Sequence, residues 1–390
     1  MGKKRIGILT GGGDVPPLNA VIASVQRTCR EEDVELFGFL RGWRGVLENE
    51  YVNLDNLDLD PSIGGTILKS SRLRLDRLGG RIEQALRNLH SADIQGLIVV
   101  GGEDTLSNCF NLPEVSQVLI SKTIDNDVGM IRSDPERTGS AEIINYFTLG
   151  FPTAARKISS FVSLKEGLRT TAYSHERVMI VESMGMHAGW LALSSSMGHP
   201  DFIIIPEFPL DYEGFVHKVL ERYDEKKNVI AVVAEGAHFS DGSHVSADED
   251  EKDDFGHPRF KGAAEVLSRK LKKDLKGHLN PRNVNSVNPS YLYRSGSSSA
   301  LDREGAENLG REAVRLHSRG LERSTLLTVR NEDNGFAVYP YPLSNIRSIE
   351  AFHRFVDRRF YDPDDYSVTA AGKTYLSRIV EEIPEGRYGI

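Results

Sequence analysis

Four times within the first 130 residues the chain drops from a strand-forming run into a loop of glycine, serine, threonine and aspartate. No other feature restricts the fold as much. Lys4 to Thr10 (KRIGILT) ends in Gly11-Gly12-Gly13-Asp14, and after Pro16 and Pro17 the stretch LNAVIASVQRTCREE carries apolar residues at helical spacing. Proline suits a helix's first turn, so this helix is expected to begin near Pro17. Strand, glycine loop and helix in that order turn backbone N–H groups and a helix N-terminus toward an anion. VELFGFL (34–40) is a second strand candidate, followed by the loop Gly64-Gly65-Thr66 and ILKSSR. IQGLIVV (94–100) has the continuous apolar character of a buried parallel strand and stops at Gly101-Gly102-Glu103-Asp104-Thr105. VLI (118–120) breaks into SKTIDND (121–127). One such loop is an ordinary tight turn. Four, each just past an expected strand, imply one shared phosphate site at the carboxyl edge of a sheet.

The last loop carries the richest chemistry. Lys122, Thr123, Asp125 and Asp127 put an ammonium, a hydroxyl and two acids where ligands of α/β proteins sit. A base two residues from a second carboxylate suits deprotonation of an alcohol beside a metal-bound phosphate. The same residues also suit a solvated Asx turn after a strand. The glycine loops are neither a Walker loop, which needs GK[ST], nor a GxGxxG fingerprint.

With 390 residues, 39% hydrophobic and 27% charged, the chain has an ordinary globular composition and is expected to form about two or three domains. A net charge of −8 argues against nucleic acid or anionic membrane as a partner, and no apolar run is long enough for a span. Cys29 and Cys109 show neither CxxC nor a histidine at ligand spacing, which points to a reducing, cytoplasmic setting without a zinc site. MGKKRIGIL leads straight into a strand-like run and is read as the first strand, not a signal peptide.

The α/β rhythm then resumes. ERVMIV (176–181) opens into ESMGMHAGW, residues 202–205 form a strand, 214–224 a helix, and VIAVVA (229–234) ends in Glu235-Gly236. The acidic run DEDEKDD (248–254) reads as a solvated loop. Tyr291, Tyr293, Arg294 and the adjoining Ser/Gly cluster are suited to binding oxyanions and hydroxyls. LLTVR (326–330) and FAVYPYPLSNI (336–346) read as a hairpin, and residues 348–390 as helical and then irregular.

Taken together, these segments resemble the phosphofructokinase family over most of the chain. GGGDVPPLNAVI is similar to the family's first phosphate loop, GGTILKSSR to its second, GGED to its third and SKTIDND to its catalytic segment. ESMGMHAGWLAL resembles MGRHAGW, VVAEGA the sugar-contacting Glu segment, and NPSYLYRS the motif PSYxxRS. NAD kinases share a GGDGT-like loop but nothing resembling the other segments.

The resemblance implies an α/β fold with two Rossmann-like three-layer domains and the active site in the cleft between them. A larger donor-binding domain is expected over 1–145 plus about 296–322, and a smaller sugar-phosphate domain over 146–295 plus about 323–390. Fructose 6-phosphate is the implied acceptor and Mg²⁺ the implied cofactor. By matched position, Asp125 takes the proton from the sugar 1-hydroxyl, with Asp127 and Arg72 as catalytic companions. Glu103 holds Mg²⁺ where most members have Asp. Gly11, Gly12, Gly102 and Arg72 hold the phosphoryl donor. Thr123, Met184, Gly185, Met186, Glu235, Tyr291 and Arg294 contact the sugar phosphate. Arg177 reaches it from another subunit, in a homodimer or homotetramer with shared sites.

ATP-using members commonly carry Gly where this chain has Asp104 and Lys122, whereas pyrophosphate-dependent members carry this Asp and Lys. Asp104 places bulk and charge where a nucleotide's α-phosphate would run, and Lys122 offers a point charge to compact pyrophosphate. Pyrophosphate is therefore the expected donor, with ATP as the alternative. Three departures stand out: Pro17 for the first loop's usual Gly, Met186 for the Arg of MGRHAGW, and Asn285 where a Lys or Arg commonly grips the sugar phosphate, with Arg282 nearby. They leave open another acceptor, such as sedoheptulose 7-phosphate, or a noncatalytic regulatory paralogue.

Overall fold

The computed structural model describes residues 3–129, 143–252, 258–386 and 388, apart from 78, 261, 322, 350 and 351. Strands in the first part are β1 (Lys4–Thr10), β2 (Val34–Phe39), β3 (Tyr51–Asn53), β4 (Gly96–Gly101), β5 (Gln117–Thr123) and β6 (Leu149–Gly150). Then come β7 (Val178–Ser183), β8 (Phe202–Ile204), β9 (Val229–Ala234), β10 (Ala247–Lys252), β11 (Pro258–Phe260) and β12 (Val284–Val287). β13 (Thr325–Glu332) and β14 (Gly335–Pro342) close the set used below.

The larger sheet runs β14-β13-β5-β4-β1-β2-β3, and β6 pairs with the end of β5. Its centre is parallel; β3 and β14 are antiparallel edges. Alternate residues serve its two faces, as strand geometry requires. Ile98 and Val100 of β4 join one core, while Leu97 and Val99 join the other. The helix Leu18–Glu31 lies on the first of these faces beside the helix Ala300–Ser318. Their backbones come close at Gly310, where a Cβ would sit 2.9 Å from Ser24 Cβ.

The smaller sheet, β12-β7-β9-β8, is parallel throughout. Val178 and Ile180 of β7 pack with helices Tyr212–Lys226 and Ala263–Asp274, whereas Met179 and Val181 face the core shared with the larger unit. Each sheet is thus covered on both faces, which is why its strands read as unbroken apolar runs. The helix Phe151–Val162 follows β6 directly. Its start is tied to the helix Ala300–Ser318 through buried Asp302, which accepts from Gly150 N (2.9 Å) and from Thr153.

Four expectations change. The hairpin β13–β14 belongs to the larger sheet rather than the smaller unit, because the apolar start of β13 covers the edge of β5 in parallel register from Thr325↔Val118 to Leu327↔Ile120. The second glycine loop does not end a strand; it lies in the irregular stretch after β3. Contacts with the first strand and loop bring it in, including Thr10 Oγ1–Thr66 Oγ1 (2.9 Å), Thr10 Oγ1 to Lys69 O (3.0 Å) and Gly12 N to Ser71 O (3.1 Å). The start of the acidic run pairs as β10 with β11; residues 253–254 lie outside the described residues. Finally, the C-terminal region is irregular first and helical later. Ile349, Phe352, Val356 and Phe360 are buried ahead of the helix Ala370–Ser377.

Candidate active site

The carboxyl ends of β1, β4 and β5 bring three of the four loops together, and crossing contacts bring the second. Gly11 N–H donates to Val100 O (3.0 Å), joining the first loop to β4. Gly12 has φ +82°, a conformation that favours glycine, and a Cβ there would lie 3.3 Å from Lys122 Nζ. Lys122 is buried and donates to Gly13 O from beneath the loop. Burial pushes its pKa down to about 7, with Arg294 and Arg72 acting in the same direction and Asp14 and Asp125 against it. An ammonium kept near neutrality gains most from an arriving polyanion. Gly102 sits at the entry to the short helix Glu103–Ser107. Asp104 is largely exposed and lies 3.6 Å from Arg74 Nη1, a guanidinium that also binds Asp76 at 2.8 Å.

The turn after β5 is fixed by its own polar groups. Asp125 N–H donates to Thr123 Oγ1 (3.1 Å), and Thr148 Oγ1 donates to Thr123 O (2.7 Å). Asn126 occupies the left-handed region (φ +55°), which asparagine tolerates better than most residues. It is buried, accepts from Thr148 N (3.0 Å) and donates to Tyr375 Oη (2.9 Å). That locks the residue between Asp125 and Asp127. Burial pushes Asp125 up to about 7, reinforced by Asp127 and Glu235 and opposed by Arg294 and Lys122. Asp127 is raised by burial, with His353 opposing. The Oδ1 atoms of both aspartates are buried without a hydrogen-bond partner among the described residues. Two carboxylates with unused buried oxygens are acceptors for a proton or a hard cation.

The smaller unit supplies the opposite wall. Arg294 reaches across the cleft: a Cβ on Gly13 would sit 2.7 Å from its Nη1, and its Nη2 donates to Met184 Sδ (3.1 Å). Tyr291 lies under the same guanidinium at 5.8 Å and is 72% exposed, which rules out the core role its sequence also allowed. Glu235 accepts from Gly185 N (3.2 Å). Met186 is 45% exposed, with its carbonyl packed against Gly236. Arg72 is exposed and acts on Lys122 through its charge. Arg177 is elsewhere. It precedes β7, donates to Thr171 Oγ1 (2.6 Å), and is separated from Met184 by the length of that strand, roughly 20 Å. Asn285, opposite Met179 in register, and Arg282 lie toward the same end.

Several residues at the site carried no sequence signal. His353 Nδ1 lies 3.7 Å from Glu103 Oε2, an ion-pair distance too long for a hydrogen bond. Its proximity holds Glu103 below the usual carboxylate range, against burial. Burial works against the charge of His353, yet Glu103, Asp127 and Glu207 together raise its pKa. Glu207 is pushed up to about 7 by burial although it accepts from Gly189 N (2.9 Å) and Val356 N (2.8 Å). Lys157 holds the Tyr291–Arg294 segment through Leu292 O (2.8 Å) and Ser295 O.

Residues 5–317 match the family described as Phosphofructokinase. The chain is 38% identical over 337 residues to ATP-dependent 6-phosphofructokinase 3 of Streptomyces coelicolor, covering 84% of this chain and 92% of that protein. It is also 38% identical over 320 residues to the pyrophosphate–fructose 6-phosphate 1-phosphotransferase of the same organism, covering 80% and 86%. In fold it is similar to a crystal structure of pyrophosphate-dependent phosphofructokinase from Marinobacter aquaeolei, with TM-score 0.79, 19% identity and coverage of 99% and 93%.

The raised pKa of Asp125 predicts a stability effect of definite sign. In the unfolded chain an aspartate titrates near 3.9. The folded protein therefore binds the extra proton between about pH 4 and 7, so the group's contribution falls as pH rises through that window. Asp125→Asn should be more stable than the parent above pH 7 in metal-free buffer, by about 1–2 kcal/mol after discounting for solvent access. The gap should close below pH 4. Denaturant midpoints at both pH values check this, and a parent chain more stable at pH 8 would contradict it.

Proposed function

The chain belongs to the phosphofructokinase family, and from that premise we propose that it transfers a phosphoryl group from pyrophosphate to the 1-hydroxyl of fructose 6-phosphate. The observation that carries the choice of donor is Lys122, buried under the first glycine loop with its charge facing that loop and Asp125. It stands in the same cleft as Asp104 on the third loop. Arg74 stands 3.6 Å from Asp104 but binds Asp76 more closely, so both the bulk and the charge of Asp104 stand against a nucleotide. ATP is the second reading. Its support is the 38% identity to a relative named ATP-dependent, and the pyrophosphate-named relative is equally identical.

Asp125 has the properties of the base. It is partly buried, has an unused oxygen, and carries a pKa near the pH of operation, where general bases are most effective. In the forward step the proton of the sugar 1-hydroxyl passes to Asp125. That oxygen bonds to phosphorus as the bridging P–O bond of pyrophosphate breaks, and orthophosphate leaves. Lys122 and Arg72 offset the donor's charge, while Arg294 and Glu235 face the sugar phosphate.

Asp127 and Glu103 would hold Mg²⁺. The unpartnered buried oxygen of Asp127 fits a hard cation that takes one or two protein carboxylates and fills its sphere with phosphate and water. When bound, the ion neutralises charge on the transferring phosphate. Met186 leaves the sugar wall without the family's arginine, so recognition of the acceptor falls on Arg294, Tyr291 and a partner subunit. Arg177 lies too far from Met184 to complete the site of its own chain, which supports a shared site in a homo-oligomer.

Two outcomes follow. At equal Mg²⁺, kcat/KM should be higher with pyrophosphate than with ATP, and Asp104→Gly combined with Lys122→Gly should raise use of ATP while weakening that of pyrophosphate. Faster turnover with ATP by the parent chain would overturn the donor assignment. For assembly, Arg177→Ala should raise KM for fructose 6-phosphate about tenfold, the loss of one charge-assisted phosphate contact. Mixing it with Asp125→Asn chains should regenerate some active sites. A fully active monomer by light scattering would contradict sharing.

A further inference from the structure

Arg354 is fully buried in the C-terminal segment, beyond the residues that match the family. Its Nε donates to Asn126 O (2.9 Å), and its Nη1 to Asn145 O (2.8 Å) and Tyr146 O (2.9 Å). Its own N–H donates to Asp127 O (2.6 Å). On the other side Trp190 Nε1 donates to Arg354 O (3.1 Å), and the guanidinium lies 4.9 Å over the Trp190 ring and 5.6 Å over Tyr375. Trp190 begins the short helix that follows MGMHAG in the smaller unit. One side chain therefore ties the turn between the two candidate acids to the opposite unit.

Stability alone does not ask for such a residue. Burying a guanidinium carries a large desolvation cost, and a well-packed apolar side chain is often as stable or more so in its place. What the arginine adds is geometry, since a planar fork fixes several carbonyls relative to one another. Neighbouring contacts extend the fixture: Gly129 N–H donates to Phe352 O (2.9 Å), and Val128 bridges to His353.

We infer that Arg354 is a positioning residue for phosphoryl transfer, holding the Asp125–Asp127 turn at its working distance from the sugar wall. The inference rests on Asp125 being the base, and it assigns the C-terminal segment a part in the reaction. Displacing reacting groups by about 1 Å can cost about 10²-fold in rate.

The test is Arg354→Lys, which keeps the charge but cannot fork to several carbonyls. We expect kcat to fall about 10²-fold while KM for both substrates stays within about threefold. We also expect amide exchange at residues 123–127 to accelerate about tenfold, with β7 and β9 unchanged. Unchanged kcat in a folded variant, or exchange that accelerates throughout the chain, would overturn the inference. If Arg354→Lys does not fold, Tyr375→Phe decides. It removes only the hydroxyl, which accepts from Asn126 and donates to Tyr146 O, a carbonyl that Arg354 Nη1 also holds; a loss of kcat at constant KM supports the inference, whereas full kcat overturns it. The exchange measurement needs no turnover, so it separates failure of this inference from failure of the assignment of Asp125.

Discussion

Charge held out of water at the meeting point of two sheets is the constraint on which the rest of the structure depends. Lys122 and Asp125 stand three residues apart at the end of β5, and burial displaces both toward neutrality, the lysine downward and the aspartate upward. Neither would be tolerated there without the surrounding arrangement. The glycine loops let main-chain atoms close over the lysine, and the charge of Arg294, which crosses from the smaller unit, favours the ionised form of Asp125 while opposing that of Lys122. A site built this way is costly when empty and well matched to a polyanion and an alcohol, because the ligand supplies the partners that the protein withholds.

The two units share one continuous core, and the elements that join them also position the chemistry. Asp302 fixes the start of the crossing helix, Asn126 ties the turn to Tyr375, and Arg354 ties it to Trp190. These are polar contacts inside an otherwise apolar interior, each costly to bury and each specifying a distance. Such polar contacts fix distances inside the interior; Arg354 Nη2 has no hydrogen-bond partner among the described residues. The Oδ1 atoms of Asp125 and Asp127 are likewise buried without such a partner in the turn after β5.

Much of this was legible in the sequence, and for identifiable reasons. Parallel strands buried on both faces give unbroken apolar runs, so β1, β4, β5 and β9 stood out, and loops at their ends announced the site. Contacts across large separations left no local trace. The second glycine loop looked like a strand end but reaches the site through Thr10 and Gly12. The stretch Phe352-His353-Arg354 has no periodicity that would mark it, because three consecutive residues, two of them polar, are buried together outside any α-helix or β-strand. The approach of Arg74, already bound to Asp76, to Asp104 was equally invisible, since thirty residues separate two charges that ordinary spacing rules treat as independent.

The claim at the centre of this account is that Asp125 removes the proton while other groups bind the sugar. Measuring kcat and the fructose 6-phosphate dissociation constant for Asp125→Asn tests it most directly. A loss of about 10² or more in kcat, with binding within about threefold of the parent, is the predicted result. Near-parental kcat in a variant that still binds the sugar phosphate would contradict it.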